Sequence, residues 1–569
     1  MRRLLASVSA AIALAAGTLH AAPAAAADAP YDVLVFSKTA GFRHDSIPVG
    51  IQTIRDLGAA NSFTVTATED AAAFTTANLA QYETVVFLST TGDVLNATQQ
   101  TAFESYVRGG GGYVGVHAAA DTEYGWPFYG QLVGAYFASH PAIQQVNSRT
   151  ENRAHPATAH LPQTWTRSDE LYNYQTNPRS SARVLATLDE SSYSGGSMGG
   201  DHPITWCKTI DSGRSFYTGF GHTQQSYAEA GFRAQLLGGI RYAANRAKAD
   251  CRPETGYTAL YNGSTSGWSQ SGPGSFANSD ATLTSSGGMG LFWYNAQQYT
   301  SYSLKADWKL TGDSNSGIFV GFPNPGGDPN IAVNQGYEIQ IDASDTPDRT
   351  TGAIYGFKSA DLAARDAALN PPGEWNTFEI LVEGQRIRVY LNGALINDFT
   401  NTDPNRNLDG YVGLQNHGAA DQVAFRNVRI KPAGTQPPVS NLALNKPATA
   451  SSTESGAYPA SAAVDASATT RWSSAFSDPQ WIQVDLGATY TINRVRLLWE
   501  AAYGSAYQIQ TSPNGSAPWT TIRTVTGGNG GEDDNTGLNA STRYVRIYGT
   551  TRGTPWGYSL FSFEVYGNN

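Results

Sequence analysis

The chain has 569 residues, several times the ~100 to 200 residues of a usual domain, so three or four separate hydrophobic cores are expected. Its net charge is -10, and no basic run follows the first residues, which argues against nucleic acid as a partner. Aromatic residues make up 11% of the chain, including 12 Trp and 30 Tyr, and this composition favours β-rich domains with flat faces on which neutral ligands can stack.

The N-terminus has the order of zones typical of an export signal. Arg2 and Arg3 precede an uncharged Leu/Ala/Ile run that ends in small residues at positions 21–27. This predicts a secretory signal peptide over residues 1–27, cleaved preferentially after Ala27 and next after Ala22. The apolar run is too short to span a bilayer and no other run approaches ~20 apolar residues. We therefore expect a secreted, extracellular chain without a membrane span.

The chain contains two cysteines, Cys207 and Cys251. Export would place both in an oxidising compartment, where a single disulfide is expected. Such a bond would tie the end of the first domain back to its body.

Residues 31–250 alternate short β-branched runs with helical stretches. Helices are expected near residues 49–57 and 98–107, between the runs YDVLVFS, FTVTAT, YETVVFLS and GYVGVHA. Alternation of this kind predicts an α/β domain with a parallel sheet covered on both faces.

The glycine-rich stretch GGGGYVGVHAAADTEYGW places His117 between small residues, where a strand turns into a helix. A turn of this kind, a nucleophile elbow, projects its central side chain from the carboxyl edge of the sheet. With FRHDSI, FASHP, TRSDELYN, MGGDHPITW and GRSFYTGFGHT, this stretch resembles the ThuA-like (trehalose utilization) family over residues 31–247. The resemblance implies a class I glutamine amidotransferase-like, flavodoxin-like fold. In the amidotransferases the elbow carries a nucleophilic cysteine, so amidotransferase activity is not expected here.

The first domain concentrates histidine, and two interpretations stay open. Either His117 and His222 gather with Asp121 or Glu170 as acid/base or metal-binding groups, or each histidine makes its own local hydrogen bonds. No HxxxH pair supports a metal site. The seven histidines of this domain are His44, His117, His140, His155, His160, His202 and His222.

Residues 256–431 show only strand and turn patterns, with Asn392-Gly393 as a hairpin signal. The motifs LYNGSTSGW, SNSGIFVGF, GYEIQID, TGAIYGF, PGEWNTFEI, VYLNGALI, GLQNHG and FRNVRI resemble the 3-keto-disaccharide hydrolase domain. That resemblance implies a concanavalin-like β jelly roll that acts on glycosides oxidised at C3. Proton abstraction at C2, elimination and hydration would then cleave the glycosidic bond.

The candidate site of this domain lies on the strand YEIQID. Its alternation turns Glu338, Gln340 and Asp342 to one face, which is too polar to be a core. Catalytic roles are predicted for Glu338 and Gln340. Further candidates to converge on this face are Asn315, Tyr355, Glu374 and His417. The alternatives are that Glu374 and Asn376 end a turn around Trp375 and that His417 caps a loop.

The segment 432–440 contains prolines and is expected to be a linker. Residues 441–569 resemble the discoidin, or coagulation factor 5/8 type C, domains in NLALNKPATASS, AVDASATTRWSS, WIQVDLG, INRVRLLWEAAYGSAYQIQTS, STRYVRIYG and WGYSLFSFEVYG. The resemblance implies a galactose-binding-like β-sandwich that binds carbohydrate.

It also implies a structural Ca²⁺ at Asp465, Thr470 and Glu564, although Ala466 and Ser467 depart from the family's loop. Glu500, Tyr503 and Arg552 are predicted to contact sugar hydroxyls. No cofactor is predicted with certainty outside this domain.

Together these features predict a secreted protein that acts on an oligo- or polysaccharide, cleaving 3-keto glycosides in its middle domain and binding glycans through its last domain. The alternative is a non-catalytic carbohydrate-binding or adhesion protein. A third hypothesis places the active site at His117. Convergence of Glu338, Gln340 and His417 on one open pocket would favour the first.

Overall fold

The computed structural model of the protein describes residues 28–433, 441–465, 467, 469–535 and 537–568. The predicted signal peptide and positions 434–440 of the predicted linker lie outside these residues. Within them no helix is both long and apolar enough to cross a bilayer. Buried apolar side chains form separate cores in three successive segments, with a smaller second cluster in the middle one.

The first segment is an α/β domain built on one nine-stranded sheet. The strands are β1 Tyr31–Phe36, β2 Phe63–Thr68, β3 Thr84–Leu88, β4 Gly112–Val116, β5 Phe137–Ser139, β6 Gln144–Thr150, β7 Thr164–Asp169, β8 Asn173–Tyr174, β9 Arg183–Leu188, β10 His202–Ile210 and β11 Gly213–Thr218. The helices are α1 Ile47–Ala60, α2 Thr76–Leu79, α3 Ala97–Arg108, α4 Pro127–Val133 and α5 Ala230–Ala243.

The order of strands in this sheet is β2-β1-β3-β4-β11-β10-β9-β6-β7, and β5 pairs with β8 in a separate two-stranded sheet. The first five strands of that order are parallel, as the sequence predicts. The other four are antiparallel, a difference from the expected parallel sheet. In α3, Asn96 and Gln99 form a reciprocal capping box that fixes where the helix begins.

The middle segment consists of two antiparallel sheets, one of eight strands and one of five. The strands are β12 Thr258–Tyr261, β13 Trp268–Ser271, β14 Ser275–Ser279, β15 Thr282–Ser286, β16 Gly290–Tyr294, β17 Tyr302–Leu310, β18 Asn315–Phe322, β19 Tyr337–Asp342, β20 Asn376–Glu383, β21 Arg386–Leu391, β22 Ala394–Thr400, β23 Tyr411–Asn416 and β24 Val423–Pro432. The helices are α6 Asn330–Gln335 and α7 Leu362–Ala368.

The five-stranded sheet has the order β13-β16-β23-β18-β19, so β19 lies at its edge. One face of this sheet packs into the core through Ile318, Ile339 and Leu414. The opposite face carries polar residues at one end and an apolar cluster that includes Trp293 and Phe319 at the other.

The last segment is an antiparallel β domain around one core. Its strands are β25 Ala448–Ala450, β26 Trp472–Ser473, β27 Gln480–Trp499, β28 Gly504–Ser512, β29 Thr520–Thr526, β30 Glu532–Asn535, β31 Ala540–Arg552 and β32 Ser559–Asn568. One α/β domain followed by two β domains is the fold class predicted from the sequence.

Candidate functional site

Strand β19 places two polar side chains on the face of its sheet that points away from the core. Tyr337, Ile339 and Ile341 enter the core, so Glu338 and Gln340 lie on the opposite face. Both are nevertheless buried, with 7% of Glu338 and 1% of Gln340 exposed. The sequence prediction that these two residues share a non-core face agrees with this geometry.

The hydrogen-bonding capacity of both side chains is largely unused. Glu338 Oε1 and both amide atoms of Gln340 are buried and have no hydrogen-bond partner among the described residues. Burial raises the pKa of Glu338 to about 8, and the nearby Gln415 amide offsets only part of this effect. A buried carboxyl group with a pKa close to neutral is suited to proton transfer.

The neighbouring strands shape the space around Glu338. Gly317 on β18 is the register partner of Gln340, and a Cβ atom at position 317 would overlap the Glu338 carboxylate. Gln415 on β23 is buried and reaches Glu338 from the other side of β18. We name Glu338, Gln340, Gly317 and Gln415 the carboxylate face.

His417 and Asn315 lie along the rim of this face in one hydrogen-bonded chain. His417 Nδ1 is 2.8 Å from Asp421 Oδ2, and Asp421 Oδ1 accepts from the Asn315 backbone N–H at 3.0 Å. The Asn315 amide donates to Asp342 Oδ2 at 2.7 Å. The His417 side chain is 53% exposed. The structure therefore links His417 to the rim through Asp421, and shows no direct contact with Glu338.

Two other candidates have different surroundings. The Tyr355 backbone N–H donates to the Glu338 carbonyl oxygen at 3.0 Å, while the Tyr355 ring lies under the Arg349 guanidinium. Glu374 accepts from Arg241 of the first domain at 2.9 Å. Glu374 therefore contributes to the contact between domains and not to the carboxylate face.

The first domain gathers a second set of groups, which we name the histidine cluster: His44, His117, His222 and Glu170. Each offers one nitrogen or oxygen atom, and these atoms all lie within 4.8 Å of one another. His117 Nε2 is 3.1 Å from His222 Nδ1 and 3.3 Å from Glu170 Oε2. His222 Nδ1 is 3.0 Å from the same carboxylate oxygen.

The strand ends bring these residues together. His117 directly follows β4, and His222 follows the neighbouring β11, at the carboxyl edge of the parallel strands. Backbone N–H groups of Glu170 and His222 both donate to Asp169 Oδ1, which fixes the two loops against each other. The φ angle of His117 is +50°, a left-handed conformation that is uncommon outside functional or turn positions.

The electrostatics of the cluster follow from burial and proximity. Burial opposes ionisation of Glu170, but hydrogen bonds from His117 and His222 outweigh it and hold the Glu170 pKa below its usual range. Burial, followed by repulsion from His117 and His222, lowers the pKa of His44 to about 3. Burial lowers the pKa of His222, yet its contact with Glu170 gives a net upward shift.

Of the remaining histidines of the domain, one borders the histidine cluster and three make separate hydrogen bonds. His140 Nδ1 contacts Glu170 Oε1 at 2.9 Å and so borders the cluster. His155, His160 and His202 make hydrogen bonds outside the cluster, to Ala157, Gly231 and Tyr172, respectively. Asp121 accepts from Tyr124, and no contact joins it to the cluster among the described residues.

Cys207 and Cys251 form a disulfide with a Cα–Cα distance of 5.4 Å. Cys207 lies on β10 and is fully buried, whereas Cys251 follows the last helix of the domain. The sulfur of Cys207 is therefore engaged in a covalent bond.

The residues implied as calcium ligands in the last domain have protein partners. Thr470 Oγ1 donates to Asp465 Oδ2 at 2.7 Å, so these two groups lie in one loop. The Glu564 carboxylate accepts from Arg496 Nη1 at 2.9 Å and from Tyr566 and Ser562. Both Asp465 oxygens accept hydrogen bonds within the loop, from the Ser467 backbone N–H and from Thr470, and both oxygens of Glu564 accept from Arg496.

Among the predicted sugar contacts, Arg552 lies beside both a carboxylate and an exposed aromatic pair. It lies 3.3 Å from Asp478 and donates to the carbonyl oxygens of Pro555 and Trp556. Trp556 is 61% exposed and its ring packs edge-on against the exposed Phe476 at 5.5 Å.

Glu500 and Tyr503 lie in the loop beside Arg552, where the Gly553 backbone N–H donates to the Tyr503 carbonyl oxygen. Glu500 Oε2 accepts from the Ala502 backbone N–H, and the Tyr503 ring lies close to Gly530 and Gly553.

Sequence reasoning did not select several residues of these sites. Gln415 lies in the motif GLQNHG, and its alternation with the buried Leu414 is a signal that could have identified it. Phe476 and Trp556 are 80 positions apart, and their contact has no local signal.

Comparison with protein-family models gives three matches in chain order. The ThuA (trehalose utilisation) model matches residues 32–243, the 3-keto-alpha-glucoside-1,2-lyase-like domain model matches 256–431, and the F5/8 type C domain model matches 447–563. A curated relative, the 3-keto-disaccharide hydrolase of Bacteroides thetaiotaomicron, is 27% identical over 175 residues, 24% of this chain. The chain spans 60% of that relative's length.

Two solved structures illustrate the likeness of the outer domains. Chitosan-binding module 1 of a chitosanase/glucanase from Paenibacillus sp. IK-5 is 58% identical, with a TM-score of 0.22, over 22% of this chain and 98% of the module. A ThuA-like protein from Bacteroides uniformis is 24% identical, with a TM-score of 0.35, over 39% of this chain and 94% of its own. By its family-model matches, the chain carries a ThuA domain, a 3-keto-alpha-glucoside-1,2-lyase-like domain and an F5/8 type C domain, in that order.

Proposed function

We propose that the middle domain cleaves 3-keto disaccharides by elimination and hydration, with Glu338 as the general base. The observation that carries the proposal is the buried Glu338 carboxyl group, whose pKa is raised to about 8 and whose Oε1 lacks a partner among the described residues. The unpaired amide of Gln340 lies on the same face and offers hydrogen bonds to an oxyanion. The family match over residues 256–431 supports the same substrate class.

The chemistry follows from the acidity of a proton next to a carbonyl group. Ionised Glu338 removes the C2 proton, and the electron pair moves onto the C3 oxygen as an enolate. The enolate then collapses: the C3 carbonyl re-forms, a C1=C2 double bond forms and the C1–O bond breaks, and the leaving oxygen takes up a proton and departs with its sugar. Water then adds its oxygen to C1 and loses a proton, which again places the electron pair on the C3 oxygen, and protonation of C2 restores the C3 carbonyl.

The spacing of the carboxylates along β19 favours this route over ordinary glycoside hydrolysis. Hydrolases of that kind use two carboxyl groups about 5 to 10 Å apart. Asp342 is the next carboxylate on β19, and four residues of strand place it about 13 Å along the chain from Glu338. Asp342 also accepts from Asn315 and from the Ser344 backbone N–H.

The direct test is to incubate the full chain with a 3-keto disaccharide and, separately, with its unoxidised parent. The proposal expects cleavage of the oxidised sugar alone. Cleavage of both at comparable rates would reject it, and cleavage of neither would favour the non-catalytic alternative.

A second function, glycan binding by the last domain, rests on a different observation. Trp556 and Phe476 form an exposed aromatic pair beside Arg552 and Asp478, which together offer a stacking surface next to charged hydrogen-bonding groups. In this proposal the protein is exported, and a Ca²⁺ held by the loop of Asp465 and Thr470 stabilises the domain. The Cys207–Cys251 disulfide supports export, because such bonds persist in oxidising compartments.

A further inference from the structure

The three imidazole rings of the histidine cluster have a common arrangement. The ring centroids of His44, His117 and His222 are separated by 4.9, 5.0 and 5.1 Å. The angles between the ring planes are 88°, 87° and 78°. Edge-to-face packing at these distances is common for aromatic rings. What distinguishes these three rings is that a nitrogen of each lies within 4.8 Å of the other two nitrogens and of a Glu170 oxygen.

Three of the four donor atoms have the spacing of a coordination shell. His117 Nε2, His222 Nδ1 and Glu170 Oε2 are separated from each other by 3.1, 3.3 and 3.0 Å. Tetrahedral ligands with bonds of about 2.0 to 2.1 Å to a metal are about 3.3 Å apart. His44 completes a set of three nitrogen donors and one oxygen donor.

The hydrogen bond of His117 to the backbone determines which of its two ring nitrogens faces the cluster. His117 Nδ1 lies 2.8 Å from the Gly219 carbonyl oxygen, which can only accept, so this nitrogen carries the proton. A ring with a single proton then turns the Nε2 lone pair toward the Glu170 carboxylate, whereas a ring with both nitrogens protonated donates Nε2–H to that carboxylate. A hydrogen on His222 Nδ1 can serve one of these acceptors well. A cation between them would serve all of them.

The surroundings of the cluster have the features of a metal site. The bond from His117 to Gly219 is the kind of outer contact that orients a metal-binding imidazole. Only 4% of the His44 surface is exposed, and its Nδ1 has no hydrogen-bond partner among the described residues. His222 is 20% exposed at its side chain, which leaves a path to solvent.

We propose that His44, His117, His222 and Glu170 bind one divalent first-row transition metal ion in the ThuA domain. Three imidazoles and one carboxylate favour ions such as Zn²⁺ over Ca²⁺ or Mg²⁺, which prefer oxygen ligands. This site is separate from the carboxylate face and does not depend on the function proposed there.

The test is metal binding by the full chain in the presence of excess Ca²⁺, which saturates oxygen-rich sites. The expected result is one Zn²⁺ bound per chain by calorimetry, and, with Co²⁺, visible absorption bands of the intensity that four-coordinate geometry gives. His44→Gln and Glu170→Gln should each weaken binding by roughly 100-fold or more, since even residues around metal ligands cost 10- to 100-fold.

His160→Gln is the matched control, because His160 is an exposed histidine of the same domain that bonds to Gly231. It should bind the ion as the wild type does. Far-ultraviolet circular dichroism and melting curves without metal establish that each variant is folded. Absence of Zn²⁺ and Co²⁺ binding by the wild type, or unchanged binding in both folded cluster variants, would overturn the proposal. If either His44→Gln or Glu170→Gln does not fold, metal binding by the other, folded variant tests the proposal.

Discussion

The Glu338 carboxylate lies directly over Gly317, which leaves no room for a side chain at position 317. Since Gly317 occupies the neighbouring strand β18, a methyl group there has to displace the carboxylate. The position of the proposed base thus depends on a residue that carries no chemistry of its own.

Gly317→Ala is expected to lower kcat for a 3-keto disaccharide by about 10²-fold, because displacement of a general base forfeits most of its 10²- to 10⁴-fold contribution. Steady-state kinetics provide the measurement. Gly327→Ala is the control, since a Cβ at Gly327 meets no atom within 4 Å, and it should leave kcat unchanged. Wild-type kinetics in Gly317→Ala would contradict the role of this close approach.

The raised pKa of Glu338 predicts a specific dependence of stability on pH. The folded state holds the proton up to a pKa of about 8, whereas the unfolded chain releases it near 4.5. This contribution to stability is therefore complete below about pH 4.5 and is lost as the pH rises toward 8.

The free energy of unfolding of the middle domain should fall over this range by an amount on the order of a few kcal/mol relative to Glu338→Gln, which does not titrate. Denaturant unfolding of both proteins at several pH values measures the difference. Parallel curves for the two proteins between pH 5 and 8 would show that the Glu338 pKa is not raised.

Trp556→Ala is expected to weaken glycan binding by the last domain roughly tenfold or more, as large aromatic residues dominate binding energy where they stack. Affinity for a glycan panel that includes chitosan oligosaccharides measures the loss. Leu444→Ala removes another exposed apolar side chain of the same domain and should bind normally. Equal losses in both variants would point to a general defect of the domain.

Asp465→Ala is expected to abolish a rise in melting temperature on addition of Ca²⁺, because a loop-held ion stabilises the folded state by mass action. Differential scanning calorimetry with and without Ca²⁺ tests this. Glu564→Gln should retain the Ca²⁺ response if Arg496 already occupies that carboxylate. If Ca²⁺ does not change the melting temperature of the wild-type protein, the proposed calcium site is excluded.

The sequence was sufficient where the signal is local. Alternation along YEIQID predicts that Glu338 and Gln340 share a face, and small residues around His117 predict a turn after a strand. The order of fold classes along the chain follows from the period of the apolar residues and from the quoted motifs.

The sequence was insufficient where sites depend on strands that are distant in the chain. His117 and His222 approach each other because β11 inserts beside β4, a pairing across about 100 positions that periodicity does not encode. The antiparallel half of the first sheet likewise depends on long-range pairing. His417 was expected near Glu338, but its loop turns it toward Asp421 and solvent.

The most direct test of the central claim is the fate of the proton at C2. Cleavage of a 3-keto disaccharide by the full chain in D₂O should place deuterium at C2 of the released 3-keto sugar, because the proton removed by Glu338 is replaced from solvent during hydration. The label is read by mass spectrometry or NMR and corrected for spontaneous exchange in a sample without enzyme. Glu338→Gln should form this labelled product 10²- to 10⁴-fold more slowly. Product without deuterium at C2 would contradict the account.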